Sequence, residues 1–346
     1  MTFDLERFTP QLRRIALAGL LATVAGTPAL AQQQVPVRFT HEWRFEGHTA
    51  PFFVAQEKGY YKAEGLSVSI DPGAGSTDAI NRVASGNYDI GIADINSLIR
   101  FRDNPANVPV KAVMMVYDAP PFAIMTLKKN NIRRPKDLEG KVLGAPAADG
   151  AYAQWPILVK ANEIDTSKVR IENVGFPVRE ALLAQGKVDA VTTFGSSVLG
   201  MRALGVPADE IVLLLMRDYG VELYGSAIIV HPEFLRTHPD AVRGFVRALI
   251  KGFQDTFRDP QAAVAIVVKR NPIVKPEIEL GRLELVTEQS YVTDWVRKNG
   301  FGGVDMERLQ RSIDQIGIAF KFTHKPKASD VFTAEYLPPR AERMIK

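Results

Sequence analysis

Apolar positions follow two rhythms along this chain, and their alternation predicts an α/β protein. Residues 35–39 read as a strand, 41–51 as a polar loop (HEWRFEGHTAP), and 52–61 as a helix. Residues 66–70 alternate apolar with polar, as a half-buried strand does. The turn Asp71-Pro72-Gly73-Ala74-Gly75 follows, with Ser76 or Thr77 placed to cap a helix reaching about Ser85. Gly86-Asn87 ends that helix ahead of a buried-type strand over 88–92. A short helix at 94–101 and strands at 110–116 and 122–127 complete the first half.

The rhythm then repeats. Residues 141–144 predict a strand, 152–161 a helix, 169–173 a strand, 177–186 a helix opened by Pro177, and 188–192 a strand. VASGNYDIGIAD from Val83 and LLAQGKVDAVTT from Leu182 share one form: helix, Gly, two residues, Asp, strand. The pairing of Gly86 and Asp89 with Gly186 and Asp189 suggests two lobes of like architecture. After a strand at 225–230 the chain is mostly helical, over 239–257, 260–269, 276–299 and 305–316. Such a tail cannot build a sheet and must pack on a lobe already formed. The expected organisation is therefore lobe 1 from 35–127 and 225–320, lobe 2 from 128–224, and a C-terminal extension over 321–346. Two crossovers, near 127–134 and 216–225, make a hinge beside an interlobe cleft, where ligands favour binding.

Residues 1–31 read differently. Arg7, Arg13 and Arg14 precede the apolar run IALAGLLATVA, and Ala29-Leu30-Ala31 supplies a small-x-small site before Gln32. This order predicts a secretory signal peptide cleaved after Ala31, with an apolar core too short to span a membrane.

Composition narrows the chemistry. The chain has 346 residues, 46% of them hydrophobic, and no cysteine. Disulfides, thiolate metal sites, a cysteine nucleophile and N-terminal lipid attachment are excluded. A formal charge of +4 gives no reason to expect a nucleic-acid partner. No nucleophile-elbow, metalloprotease or phosphate-loop motif occurs, and the spacing of His41 and His48 is no metal signature. No metal or cofactor is expected.

The candidate residues suit a binder. Trp43 lies in the polar loop, Tyr117 and Asp118 before the first crossover, and Tyr152 and Trp155 at a helix start. Phe194 follows an Asp-bearing strand, and Tyr219, Glu222 and Tyr224 bracket the second crossover. Several stand at strand ends, where parallel sheets present ligands, and planar rings can sandwich a planar molecule. Gly75 and Ser76 open a helix whose N–H groups could hold a polar ligand edge. His48 joins them from the first loop. Asp94, Asp118 and Glu222 occur where Arg and Lys are scarce, which points to a neutral or cationic heterocycle rather than an anion.

The run from His48 to Leu66 (HTAPFFVAQEKGYYKAEGL), with GAGS at Gly73, GNYDIG at Gly86, PKDLEGK at Pro135 and GKVDA at Gly186, resembles the substrate-binding proteins of ABC importers. The similar group is the one tied to nitrate, sulfonates, taurine and thiamine-pyrimidine precursors (NMT1/THI5-like, SsuA-like). The resemblance spans nearly all of 35–320. It implies a bilobal type II periplasmic-binding-protein fold, with two mixed sheets flanked by helices and a closing cleft. It also implies a monomer in the periplasm that delivers a small-molecule ligand to an ABC permease and its ATPase. The His48 loop and the strand-end acids look closer to the pyrimidine-precursor binders, in which an aromatic near the position of Trp43 stacks on the ring. Some fungal relatives are enzymes that use a cysteine-rich motif and iron, which this chain lacks. Alternatives are a binder of a sulfonate or nitrate, a binder that presents its ligand to a sensor, and a secreted enzyme on the same fold.

Overall fold

The computed structural model describes residues 34–345, so the expected leader over 1–31 lies outside the described residues. Ten strands form two five-stranded sheets. They are β1 Val35–Thr40, β2 Leu66–Asp71, β3 Ile90–Asp94, β4 Lys111–Met115, β5 Phe122–Leu127, β6 Val142–Ala145, β7 Arg170–Asn173, β8 Ala190–Phe194, β9 Ile211–Leu215 and β10 Ser226–Val230. The sheet orders are β2-β1-β3-β10-β4 and β7-β6-β8-β5-β9. Edge strands alternate or are exposed (LSVSID, RIEN), whereas IGIAD, SAIIV and FAIMTL are buried throughout. Such unbroken burial requires helices on both faces.

Each sheet holds one reversed strand. β10 runs antiparallel to β3 and β4, and β5 runs antiparallel to β8 and β9, while β1–β2, β1–β3, β6–β7 and β6–β8 are parallel. The reversed strands come from the two passages between sheets. One passage is residues 216–225. The other is 116–121, ahead of the expected 127–134, because β5 completes the second sheet and does not end the first.

The two like segments share more than their outline. Gly86 and Gly186 both turn through positive φ, +75 and +71. The Asp89 carboxylate accepts from the Arg38 backbone N–H at 2.8 Å, and the Asp189 carboxylate accepts from Val142 in the same way at 2.8 Å. Each Asp thus locks the start of a central strand to its parallel neighbour.

The tail packs as the sequence requires, with one break. Helix Pro239–Arg258 lies on helix Ala50–Glu57 so closely that a Cβ on Gly252 would stand 2.3 Å from the Pro51 carbonyl oxygen. Phe39, Phe52, Phe245 and Phe253 fill this core. The expected helix over 276–299 is Pro276–Val286, a π turn Thr287–Tyr291, and Asp294–Asn299, because Val292 leaves helical geometry and Thr293 caps the next helix. Helix Met306–Ala319 buries Leu309, Ile313 and Ile316 in one cluster with Trp155 and Leu158. The tail therefore touches both halves.

Candidate functional site

Between the sheets lies a cavity of about 210 Å³. The loop after β1 supplies Trp43, Arg44, Glu46 and His48; the second half supplies Asp149, Arg179, Glu180, Phe194, Ser196 and Ser197; the tail supplies Arg282. The loop is pinned by a close approach. A Cβ on Gly47 would fall 2.0 Å from the Glu279 carbonyl oxygen, and the Gly47 N–H donates to the Glu279 carboxylate at 2.6 Å. Only glycine fits there, and this contact aims Glu46 and His48 inward.

The cavity is ringed by aromatic and ionic side chains. Trp43 meets Phe176 edge to face at 4.6 Å, and the Arg179 guanidinium lies 5.8 Å from the indole centre and 5.9 Å from the Phe176 ring. Arg179 is 5% exposed at its side chain; it pairs with Glu180 at 2.8 Å and Asp149 at 3.4 Å. Burial alone would lower its pKa, but the two carboxylates outweigh burial and raise it. Arg282 repeats the arrangement with Glu279 at 3.0 Å and Glu46 at 3.5 Å, again with a raised pKa despite burial. Its Nη1 also donates to the Ser196 carbonyl at 3.4 Å, so it ties the tail to the second half. Arg44, half exposed, completes the set on Glu46 at 2.6 Å.

His48 is the polar group left over. Its Nδ1 is buried without a hydrogen-bond partner and stands 4.0 Å from the Glu46 carboxylate. Burial, then Arg282 and Arg44, push its pKa down to about 3, so the ring is neutral. A buried unsatisfied nitrogen on a cavity wall is a ready contact for a ligand.

Of the residues singled out from sequence, Trp43, His48 and Phe194 line the cavity. Gly75, Ser76 and Asp94 lie where the two halves touch. A Cβ on Gly75 would meet the Ala148 carbonyl oxygen at 2.6 Å, and Gln154 donates to Asp94 at 3.1 Å. Gly75, not Ser76 or Thr77, occupies the helix cap. The turn does not offer free amides either: the N–H groups of Gly73, Ala74 and Gly75 go to Trp43, Asp78 and Glu42.

The remaining candidates stand away from the cavity wall. Tyr117 is stacked on Tyr291 at 5.0 Å, and Asp118 is held by Arg308 and Thr293. Tyr152 and Tyr219 pack against the core that contains Trp155, which is 6% exposed. Glu222 faces solvent, and Tyr224 is buried beneath the Arg308 guanidinium at 3.9 Å. Tyr117, Asp118, Tyr219, Glu222 and Tyr224 belong to the two passages between the sheets, where Arg308 of the tail holds Asp118 and covers Tyr224. The expected scarcity of arginine beside the candidate acids is also corrected, since Arg308 pairs with Asp118 and Arg100 acts on Asp94, while Arg179 and Arg282 are part of the cavity wall. Arg179 follows Pro177 at a helix start, and Arg282 lies three residues after Glu279, a spacing that reads as an ordinary surface ion pair.

Comparison with known proteins adds the following. The family model described as NMT1/THI5 like matches residues 47–263. A riboflavin-binding protein, RibY, of Chloroflexus aurantiacus is 26% identical over 320 residues, covering 90% of this chain and 87% of that protein. A formylaminopyrimidine-binding protein of Halalkalibacterium halodurans is 26% identical, covering 82% of this chain and 84% of that one. A 4-amino-5-hydroxymethyl-2-methylpyrimidine phosphate synthase of Schizosaccharomyces pombe is 26% identical, with 65% of this chain and 66% of that one covered. Among solved structures, the alkanesulfonate-binding protein SsuA of Xanthomonas axonopodis pv. citri superposes with a TM-score of 0.66 at 12% identity, over 87% of this chain and 99% of that one.

Proposed function

The chain belongs to the NMT1/THI5-like family, and from that premise we propose that it captures a small, planar, net-neutral nitrogen heterocycle in the cleft and delivers it to an ABC importer. The observation that carries this reading is that every guanidinium of the cavity wall is already paired with a carboxylate. Arg44, Arg179 and Arg282 face Glu46, Asp149 and Glu180, with Glu279 behind. Each guanidinium already has a carboxylate, so an incoming sulfonate or nitrate would have to compete with those carboxylates and would add a further negative charge beside them. A neutral ring with donors and acceptors keeps the pairs intact, places a π face against Trp43 or Phe194, and offers a donor or acceptor to His48.

Binding, not catalysis, is the role we assign. The relatives that share most of this chain's length are named as binding proteins. The synthases align over less of it, and the cysteine-rich motif expected of the fungal enzymes has no counterpart in a chain without cysteine. The proposed setting is the periplasm, as a monomer released by cleavage after Ala31. No helix among the described residues is long and apolar enough to cross a membrane.

The test is native mass spectrometry of freshly purified protein, with release and identification of any bound molecule, followed by titration calorimetry with riboflavin, a formylaminopyrimidine, taurine and nitrate. Heat from a heterocycle and none from the anions is the expected result. Saturable binding of taurine or nitrate, with both heterocycles silent, would overturn the reading in favour of an anion carrier.

A further inference from the structure

At the contact between the two halves lie two buried acids that the ligand reading does not use. We infer that closing the cleft brings a proton onto the Glu42–Asp94 pair, so that closure and proton uptake are one event. The inference rests on the binding reading only in taking closure to be the working motion.

The geometry is a dry pocket built around one hydroxyl. Ser76 Oγ donates to Glu42 Oε2 at 2.5 Å and accepts from the Asp94 backbone N–H at 3.2 Å. Glu42, Ser76, Asp94 and Ser226 are 5%, 2%, 0% and 1% exposed. The two acids are not equivalent. Asp94 accepts from the backbone N–H and Nδ2 of Asn96, from the backbone N–H and Oγ of Ser97, and from Gln154 Nε2. Arg100 supports its charge from the same helix. Burial raises the Asp94 pKa, while Arg100 and the donors from Ser97 and Asn96 act against that rise. Glu42 has hydroxyl neighbours and no cation, next to the charge on Asp94. Two carboxylates sharing such a site cannot both stay ionised.

The other half closes this pocket. Gln154 reaches across to Asp94, and a Cβ on Gly150 would stand 3.2 Å from Ser76 Oγ and 3.3 Å from Asp94 Cβ. Separating the halves admits water to Glu42, which then ionises and returns its proton to solvent. The titratable groups around Glu42 are Asp94 from β3 and the Tyr117 and Tyr291 hydroxyls, with Arg100 acting through Asp94. None supplies a positive charge to Glu42 itself. Burial, then the charge on Asp94, raise the Glu42 pKa to about 7 in the closed form, against hydrogen bonds from Ser226 and Ser76 that lower it.

The experiment needs no ligand, so its failure is separable from failure of the binding reading. Solution scattering on the full chain is run from about pH 5.5 to about pH 8.5, on wild type and on Glu42→Gln, whose amide is neutral at every pH. The wild-type radius of gyration should fall as pH falls, with a midpoint near that of Glu42, and the variant should stay compact throughout. A wild-type radius constant over the range, or a variant that follows the wild-type curve, would overturn the proposal. Should Glu42→Gln not fold, infrared difference spectra of the wild type decide. A protonated-carboxyl carbonyl stretch must rise in step with compaction, and its absence at the acid end overturns the proposal equally.

Discussion

Trp43 and Phe176 meet edge to face across the cleft, ring centroids 4.6 Å apart and planes at 75°. Trp43 rides on the loop after β1 and Phe176 on the turn after β7, so the contact forms only when the halves are together. The indole is partly exposed and belongs to neither large core. Trp43→Ala should therefore weaken ligand binding and leave the unliganded melting temperature nearly unchanged. Loss of a stacked ring is worth about 1–3 kcal/mol, roughly tenfold to a hundredfold in Kd. Calorimetric titration and apo melting of the same two proteins check both halves of the expectation.

Where sequence and structure part company, the reason lies in long-range packing. The paired segments around Gly86–Asp89 and Gly186–Asp189 were legible because each is a local device, a left-handed glycine and an acid that clamps a neighbouring strand. Trp43 and His48 were legible because a large ring and an imidazole in a polar loop invite a partner. Arg282 was not, since nothing near it in sequence reveals that Gly47 sits against the helix just before it. Glu42 was missed for the same reason. Its environment is built by Ser76, Asp94 and Ser226, which arrive from three other elements. Tyr117 and Tyr224 misled because strand ends look alike in sequence whether they open on a cleft or on the tail that covers them.

Arg179 should be a stability residue as well as a wall of the site. Its removal leaves Asp149 and Glu180 facing each other, and burial already raises the Asp149 pKa even with Arg179 present. Arg179→Met should cost about 3–5 kcal/mol, the range for a buried charge that loses its partner. The triple change with Asp149→Asn and Glu180→Gln should recover a good part of that loss. Urea denaturation of the three proteins provides the comparison.

The buried titratable groups set a pH profile of stability. His48 is pushed down to about 3 and His41 well below its usual 6.5, both chiefly by burial. Their contribution is present above about 6.5 and is lost as pH falls, because the unfolded chain then binds protons that the fold refuses. Glu42 acts in the opposite sense. With its pKa raised from 4.5 to about 7, its contribution is complete below about 4.5 and is lost as pH rises through about 7. Two histidines outweigh one acid below about 6.5, so these three groups make stability rise with pH and level off at about pH 7, where the loss of the Glu42 contribution offsets the last of the gain from the histidines. A tenfold difference in proton affinity between the folded and unfolded chain corresponds to about 1.4 kcal/mol. Denaturant midpoints measured across this range should rise with pH and then level off, and Glu42→Gln should steepen the rise below about 6.5.

Gly75 offers a way to hold the cleft apart. Its backbone sits at φ +117, and a Cβ there would lie 2.6 Å from the Ala148 carbonyl oxygen and 3.2 Å from the Phe176 ring, both on the opposite half. Gly75→Ala thus has two effects: backbone strain of about 1–3 kcal/mol, and a clash that exists only in the closed arrangement. Gly59 separates them. It also turns through positive φ, +70, but a Cβ there meets nothing within 4 Å. Gly59→Ala should lower the melting temperature and leave both ligand affinity and the radius of gyration unchanged. Gly75→Ala should lower the melting temperature too, but it should also enlarge the radius and weaken binding, since ligand must then close the halves against a carbonyl oxygen that cannot move aside without distorting its own turn. Equal affinities in the two variants would mean that the Gly75–Ala148 contact plays no part in capture, and that the halves meet on the ligand and not on each other.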